Sequence, residues 1–324
     1  MADYTTFSII VPVYNGAETL DCCLSALVAQ AYSPELYEII VVDDGSTDDS
    51  VRIAQRYPVR LIKLARNQGR IVARNTGVAA ARFETLVFND ARVIAEPNLL
   101  AKLARQGYQP ILPNVVAYQG ERWGFERFFH LLRWKMHGAF YQAEADAEDY
   151  YLTDDNFEQR PKGTTLFVVD RTLWQRCQPA ASDKMTNDDT RILRAIVRHK
   201  PILRAGHITV VYHQRRQPGQ VFKHIFERGP RFADYYLQRG GRYHRLYLAI
   251  WGMLGLTGLI TVFRPKLALR SGVIMLLMTD LAAALYLKRS WSDVIVVGLG
   301  LPLIGLAFGL GILKWQFSRL VNLG

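Results

Sequence analysis

Four short apolar runs, Phe7 to Val13, Glu38 to Val42, Arg60 to Leu64 and Thr85 to Phe88, alternate with helix-like stretches near Ala17 to Ala31, Ser46 to Tyr57 and Gly69 to Ala81. A chain with this rhythm has few ways to fold. Each strand must pass through a crossover helix before it can pair in parallel with the next, so the fold class is α/β, a parallel sheet covered on both faces. Ligands of such sheets bind outside the carboxyl ends of the strands. That rule singles out Pro12 to Asn15, Asp43 to Gly45, and Asn89 to Arg92. No internal repeat and no low-complexity linker interrupts the pattern.

The far end of the chain obeys a different rule. Leu246 to Phe263, Leu267 to Leu287 and Val294 to Leu313 are apolar runs, and the first and third carry no charge. Each of those two is about long enough to cross ~30 Å of hydrocarbon. The second carries Arg270 and Asp280, and an acid at mid-membrane costs roughly 2.5 to 3.5 kcal/mol. It therefore reads either as a third span or as a helix on the membrane surface.

The net charge is +11, and ten Lys and Arg between Arg239 and Arg319 face only Asp280 and Asp293 as acids. Basic residues that bracket apolar runs point to a membrane rather than to nucleic acid. Cys22, Cys23 and Cys177 fit neither a metal-ligand spacing nor a disulfide framework. The start of the chain has no basic stretch leading into a long apolar one. No cleaved leader is therefore expected, and residues 1–235 are expected to form a cytoplasmic domain, with 236–324 in the membrane.

Within "VVDDGSTDDS" (residues 41–50), Gly45 suits a left-handed turn, Ser46 a helix cap, and Asp48 and Asp49 the positive end of a helix. Turn chemistry does not account for Asp43 and Asp44, two acids directly after a buried strand. Such carboxylates can accept hydrogen bonds from a nucleobase and from ribose hydroxyls. The ligand spacing of a calcium loop is absent. In "NQGRIVARNTG" (67–77), Arg70 and Arg74 stand four residues apart and share a helix face. That places two cations near one crevice.

Taken in order and spacing, "SIIVPVYNG", "IIVVDDGSTDDS", "NQGRIVARNTG" and "VFNDARV" resemble the nucleotide-binding half of family 2 glycosyltransferases, which have the GT-A (Rossmann-like) fold. "KGTTLFVVDRTLW" (162–174) resembles the family's acceptor-side strand and "TNDDTRIL" (186–193) its catalytic acid motif, so the likeness covers roughly residues 5–232. The apolar tail resembles that of members which build polysaccharides or lipid-linked saccharides. The resemblance implies that Pro12, Val13, Tyr14 and Asn15 with Asp43 and Asp44 frame the nucleoside of a nucleotide-diphospho-sugar. It implies that Arg70 approaches base or phosphates, that Asp90 is the first acid of an Asp-x-Asp metal motif for Mg²⁺ or Mn²⁺, and that Asp189, beside Asp188, is the general base. Direct displacement from a nucleotide-sugar needs positive charge at the departing diphosphate and a carboxylate on the opposite face, and it inverts the anomeric carbon.

One residue departs from the family pattern. Where the motif would place its second acid, this chain has Arg92. Either Asp90 alone anchors the cation while Arg92 points away or forms a salt bridge, or Arg92 contacts phosphate through its fork of donors. A degenerate, non-catalytic domain is a third reading.

Two stretches bear on the acceptor. Phe125, Phe128, Phe129, Leu132, Met136 and Phe140 recur at helical spacing opposite Arg127, His130, Arg133 and His137, which suits a membrane surface or packing on a sheet. Residues 212–232, rich in Arg and His, resemble the family's basic segment after the catalytic base, which implies closure over the diphosphate; a cytoplasmic flank explains them equally well. The expected protein is an inverting, multi-pass membrane glycosyltransferase acting on a polyprenyl-linked or polysaccharide acceptor. A polyprenyl-phosphate sugar synthase and a non-catalytic nucleotide-sugar-binding scaffold are the alternatives.

Overall fold

The computed structural model describes residues 5–117, 124–137, 148–178, 188–215 and 217–321. By contacts the chain separates into two compact units. The first comprises Met1–Gln119, His137–Lys184 and Asp188–Gln214, and the second Gly120–Met136, Met185–Asn187 and Arg215–Gly324.

In the first unit β1 (Phe7–Val13), α1 (Ala17–Val28), β2 (Tyr37–Asp43), α2 (Ser50–Ala54), β3 (Arg60–Lys63), α3 (Arg70–Ala80) and β4 (Thr85–Asn89) form the alternating half. β5 (Val93–Ala95), α4 (Leu99–Gln106) and β6 (Ile111–Ala117) follow. After α5 (Phe125–His137), which falls almost wholly in the second unit, come β7 (Tyr150–Leu152), β8 (Leu166–Asp170), α6 (Arg171–Arg176), α7 (Asp188–Val197) and β9 (Ile202–Tyr212). The described strands make one sheet in the order β3-β2-β1-β4-β8-β6-β9-β5, with β7 also on β9. β3, β2, β1 and β4 are mutually parallel, whereas β8 is antiparallel to β4 and to β6.

Alternation along the strands divides the core. Ile9 and Val11 meet Leu20, Leu24 and Leu27 of α1, together with Leu99 and Leu103 of α4, on one face. Each buried Leu of this kind contributes roughly 1.5 to 3 kcal/mol. On the other face Ile10 meets α3 so closely that a Cβ at Gly77 would overlap its side chain. A glycine there lets helix and strand backbones approach.

The second unit holds α5, α8 (Pro218–Phe232), a π-helical turn at Ala233–Leu237, α9 (His244–Phe263), α10 (Pro265–Leu287) and α11 (Ser292–Val321). Phe128 and Leu131 of α5, Val221 and Ile225 of α8, and Val297 and Ile304 of α11 share one core. Packing thus uses the apolar face of α5. Leu131, which the sequence pattern passed over, is fully buried, while Met136 and Phe140 lie outside the described side chains. Arg127 donates two hydrogen bonds, 2.7 and 2.9 Å, to the buried Asp293 at the start of α11. A Cβ at Gly229 would come within 2.5 Å of the Phe308 carbonyl oxygen, so α8 and α11 touch backbone to backbone, as small residues allow in membrane helices.

Among the described residues two helices are long and apolar enough to cross a membrane, His244–Phe263 and Ser292–Arg319, while α10 offers the shorter apolar stretch Gly272–Leu287. The 20 residues of α9 make about 30 Å of helix. Leu256, Leu259, Val262 and Phe263 of that helix are all more than half exposed, and an apolar surface of this extent needs a lipid or protein neighbour.

Candidate active site

The strand order sets the carboxyl ends of β2, β1 and β4 side by side. Val13 stands opposite Asp43, and the Asp44 N–H donates to the Val13 carbonyl at 2.8 Å. Tyr14 is 44% exposed and Asn15 is exposed, whereas Pro12 is half-buried and Val13 buried. Asn15 adopts φ 49°, in the left-handed region that Asn tolerates better than most residues. Its N–H donates to Ser46 Oγ at 2.9 Å and its Oδ1 accepts from the Thr47 N–H at 2.8 Å, which binds the end of β1 to the loop after β2.

That loop differs from its expected form. Ser46 caps no helix. The helix begins at Ser50, and Asp49 at its cap position makes no side-chain cap bond. Ser46 is diverted to Asn15, and Asp48 accepts from the Ser50 and Ala17 N–H groups, so these side chains close a turn between two strand ends. Gly45 has φ +73°, and a Cβ there would come within 2.7 Å of the Arg66 backbone. Both buried acids act inside the loops. Asp43 accepts from the Ser46 N–H, and Asp44 accepts from Gln68 N at 2.6 Å and Gly69 N at 2.8 Å. A carboxylate has about four lone-pair positions, so each keeps acceptor capacity for a ligand.

At the end of β4 the Asp90 N–H donates to the Thr165 carbonyl, and its Oδ1 accepts from the Arg92 N–H at 3.0 Å. The Arg92 side chain is buried and turns to Glu18 at the start of α1, 3.5 Å away, leaving Nη1 buried without a hydrogen-bond partner. Arg92 thus pairs with Glu18 across the start of α1. Burial first, then the Asp90 charge, pushes the nearby Cys23 thiol far up, so it stays protonated and is a poor metal ligand.

The donors here do not by themselves make a site for a resident divalent ion. Asp90 offers one carboxylate, half engaged by the Arg92 backbone, and a buried guanidinium follows where a second acid would serve a hard cation. Among the described residues no three His, Cys, Asp or Glu side chains converge in a metal-holding group.

The second half of the sheet contributes a cluster around Asp189. β8 lies antiparallel to β4 with Leu166 opposite Asn89, which brings Thr164 and Thr165 to the same edge as Asp90. Arg74, 5% exposed on α3, donates to Thr164 Oγ1 at 3.0 Å and to Asp189 Oδ1 at 2.7 Å. Arg70, one turn earlier, reaches Asp189 Oδ2 at 3.2 Å. Burial disfavours the Asp189 charge, but Arg70, Arg74 and the Thr164 hydroxyl outweigh it and hold the carboxyl well below the usual range. Asp188 opens α7 beside it, and its side chain lies outside the described ones.

Aromatic residues pack around this turn of α3. Its guanidinium lies over Phe88, 5.6 Å from the ring centre, and Trp174 donates to Asn75, the next residue along α3, at 3.0 Å. Sequence reasoning placed Arg70 and Arg74 on one face but could not see that their shared partner is Asp189, 115 residues after Arg74. Thr164 lay within the acceptor-side stretch at 162–174 without being singled out, and Glu18 gave no signal.

A parallel half-sheet with acids at its carboxyl edge, extended by antiparallel strands and by α7 with a further acid, is a GT-A-like arrangement. Residues 8–157 match the family model described as "Glycosyl transferase family 2", so the chain carries a family 2 glycosyltransferase domain.

Among relatives, Glycosyltransferase AglE of Haloferax volcanii is 39% identical over 88 residues, 26% of this chain and 29% of AglE. The poly(ribitol-phosphate) beta-glucosyltransferase of Bacillus spizizenii is 40% identical over 90 residues, 26% of this chain and 14% of that protein. The uncharacterized glycosyltransferase YibD of Escherichia coli is 42% identical over 89 residues, 26% of this chain and 25% of YibD. The chain thus spans less than a third of the length of these relatives. Among solved structures, S. aureus TarS 1-349 in complex with UDP-GlcNAc aligns with TM-score 0.52 and 16% identity over 71% of this chain and 67% of that one. At that identity the likeness is one of fold.

Proposed function

We propose that the protein transfers a sugar from a nucleotide-diphospho-sugar to a hydroxyl of a membrane-associated acceptor, with inversion. The observation that carries this reading is Asp189, kept ionised by Arg70 and Arg74 and joined through Thr164 to the edge that holds Asp90. Asp189 takes the acceptor proton, the acceptor oxygen bonds to the anomeric carbon, and the bond to the diphosphate breaks. The nucleoside diphosphate leaves. A TarS crystal carries UDP-GlcNAc on a similar fold, which makes uridine nucleotide-sugars the first donors to try.

A carboxylate gripped by two guanidinium groups is a weak base. Arg70 is 35% exposed in its side chain against 7% for Arg74, so Arg70 is the member able to exchange. On this reading the incoming diphosphate draws Arg70 away, leaves Asp189 with Arg74 alone, and strengthens the base after the donor has bound. Pro12 to Asn15 with Asp43 and Asp44 take the nucleoside, and Asp188 supports its neighbour. Among the described residues only Asp90 is offered to a divalent cation at this edge, so any Mg²⁺ or Mn²⁺ comes with the donor phosphates, and no step above is routed through it. α9 and α11 cross the membrane, the first unit stays on the cytoplasmic side, and the acceptor is lipid-linked or a polysaccharide.

The test is nucleotide release by the purified protein, with membrane lipid extract and a panel of nucleotide-sugars. Release that depends on one donor and on the extract, and is lost in Asp189→Asn, is the expected result. Extract-dependent release that survives Asp189→Asn would point to a lipid phosphate as acceptor, which needs no hydroxyl base. No release with any donor, despite donor binding, would leave the scaffold reading.

A further inference from the structure

Helices α10 and α11 carry one acid each, and the two are satisfied differently. Asp293 of α11 is buried and accepts from Arg127 at 2.7 and 2.9 Å and from the Arg289 and Ser290 N–H groups. Asp280 of α10 has no such partner. Among the described residues no ion pair reaches it, and its Oδ1 is buried without a hydrogen bond.

Packing fixes where that carboxylate lies. Ala284 and Leu287, four and seven residues further along α10, share a core with Val297 and Ile304 of α11, and at helical spacing Asp280 continues the same stripe. Opposite it stands Gly298, where a Cβ would meet only Asp280 Oδ2, at 3.5 Å, among the described residues. Thus α11 puts no side chain over the carboxylate. Leu277 and Leu281 of α10 are exposed nearby, so the rim around the acid is apolar.

The cations at this end of the unit are engaged elsewhere. Arg127 goes to Asp293, Lys288 lies over the Trp291 ring at 3.3 Å, and Lys135 over Tyr286 at 4.1 Å. Arg270 stands ten residues before Asp280, about 15 Å along the helix. A second copy crossing in the same sense adds no cation at this depth, because Leu246 to Phe263 and Val294 to Leu313 are uncharged and its Arg270 keeps the same offset. A carboxylate among apolar helices calls for an opposite charge. The apolar rim calls for a partner that is itself in the membrane, and a glycine at the contact lets helix backbones approach.

We propose that Asp280 is a docking point for a transmembrane helix of another protein, one that lays a single Lys or Arg beside Gly298. That cation would sit at the level of Asp280, about 12 Å along α10 from Lys288. The inference rests on the membrane reading of α11, beside which α10 packs, and it adds a partner that the proposed function does not name.

The experiment uses the full chain, labelled with a fluorescent donor, in phosphatidylcholine liposomes, where no anionic lipid competes for a lysine. The probes are synthetic leucine-rich helices of about 20 residues, long enough to span, with an acceptor dye. One carries Lys at the level of Asp280, one has Leu there, and one has its Lys moved two turns away. The first should associate about tenfold more tightly than the others, a difference of about 1.4 kcal/mol. Asp280→Asn keeps the shape, loses the charge and should abolish that preference. Gly298→Leu sets a side chain against the carboxylate and should abolish it with the acid intact.

Equal association of the Lys and Leu helices, or a preference undiminished in both variants, would overturn the proposal. So would energy transfer between two copies of the chain that is lost in Asp280→Asn, since the occupant would then be a second copy. Carbonate washing of the same liposomes separates the two readings. A chain released by carbonate fails the membrane reading and the docking point with it, whereas a chain that stays embedded yet shows no preference for the Lys helix fails the docking point alone.

Discussion

Asp44 and Asp189 are both acids at the edge of one sheet, and they are satisfied in opposite ways. Asp44 is buried and receives two backbone N–H groups, from Gln68 and Gly69. Asp189 is 23% exposed in its side chain and receives two guanidinium groups. Backbone donors cannot leave without unfolding the loop they belong to, whereas a guanidinium on a flexible stem can. The first acid therefore builds the site and the second can work in it. Mutating each in turn tests that division.

The largest effect is expected at Asp189. Asp189→Asn should lower turnover by roughly 10² to 10⁴ with nucleotide affinity nearly unchanged. Isothermal titration with UDP beside a nucleotide-release assay reads both, and full turnover in the variant would remove Asp189 from the chemistry.

Asp44→Ala should act the other way round. It strands two buried N–H donors, at roughly 1–3 kcal/mol each. A net loss of about 2–3 kcal/mol shifts the midpoint of a unit this size by roughly 4–12 °C. Donor affinity should fall with it, because the loop that carries Arg70 loses its tether. A thermal midpoint within a degree of wild type would show that the Gln68 to Gly69 loop holds itself.

The smaller contrast lies at Asp90 and Arg92. Titration of donor binding and turnover with Mn²⁺ and with chelator should show weak metal affinity in the absence of nucleotide, and Asp90→Ala should lose the metal dependence. Arg92→Asp restores a second acid and should tighten Mn²⁺ binding. The same change deprives Glu18 of its partner, so stability should drop with it. Turnover indifferent to chelator would remove the cation from the reaction.

The two halves of the sheet also differ in how far the sequence revealed them. β1 was expected at Phe7 to Val13 and occupies that range, and β2 to β4 fall within about a residue at either end. Apolar β-rich runs bounded by Gly, Asn and Asp announce such strands locally. β6 and β9 announced nothing comparable, because a strand such as Ile202–Tyr212 mixes Arg, Gly and His among its apolar residues and is made by pairing with distant partners. The site divides likewise. The acids at Asp43, Asp44 and Asp90 were legible because they end local strands, and the Arg70 and Arg74 pair because four residues make a helix turn. Their meeting with Asp189 and Thr164 depends on how β8 and α7 return to the sheet, which no spacing encodes.

The smallest effect, and the one most particular to Asp189, is in pH dependence. Its folded pKa lies below the value near 4 of an unfolded Asp. Above that value the ion pairs add their full stability. As pH falls below it, the unfolded chain takes up the proton first and the contribution drains away. The gap in thermal midpoint between wild type and Asp189→Asn should thus be constant above about pH 5 and should narrow below pH 4. Turnover adds a finer reading, since kcat/KM reports the free enzyme and kcat the donor complex. If the diphosphate draws Arg70 away, the acid limb of kcat should lie at higher pH than that of kcat/KM. In Arg70→Gln the two limbs should converge, because the free enzyme already lacks the second cation. Coincident limbs in the wild type would mean that Arg70 stays on Asp189 throughout, and the proposed order, donor first and base second, would have to be abandoned.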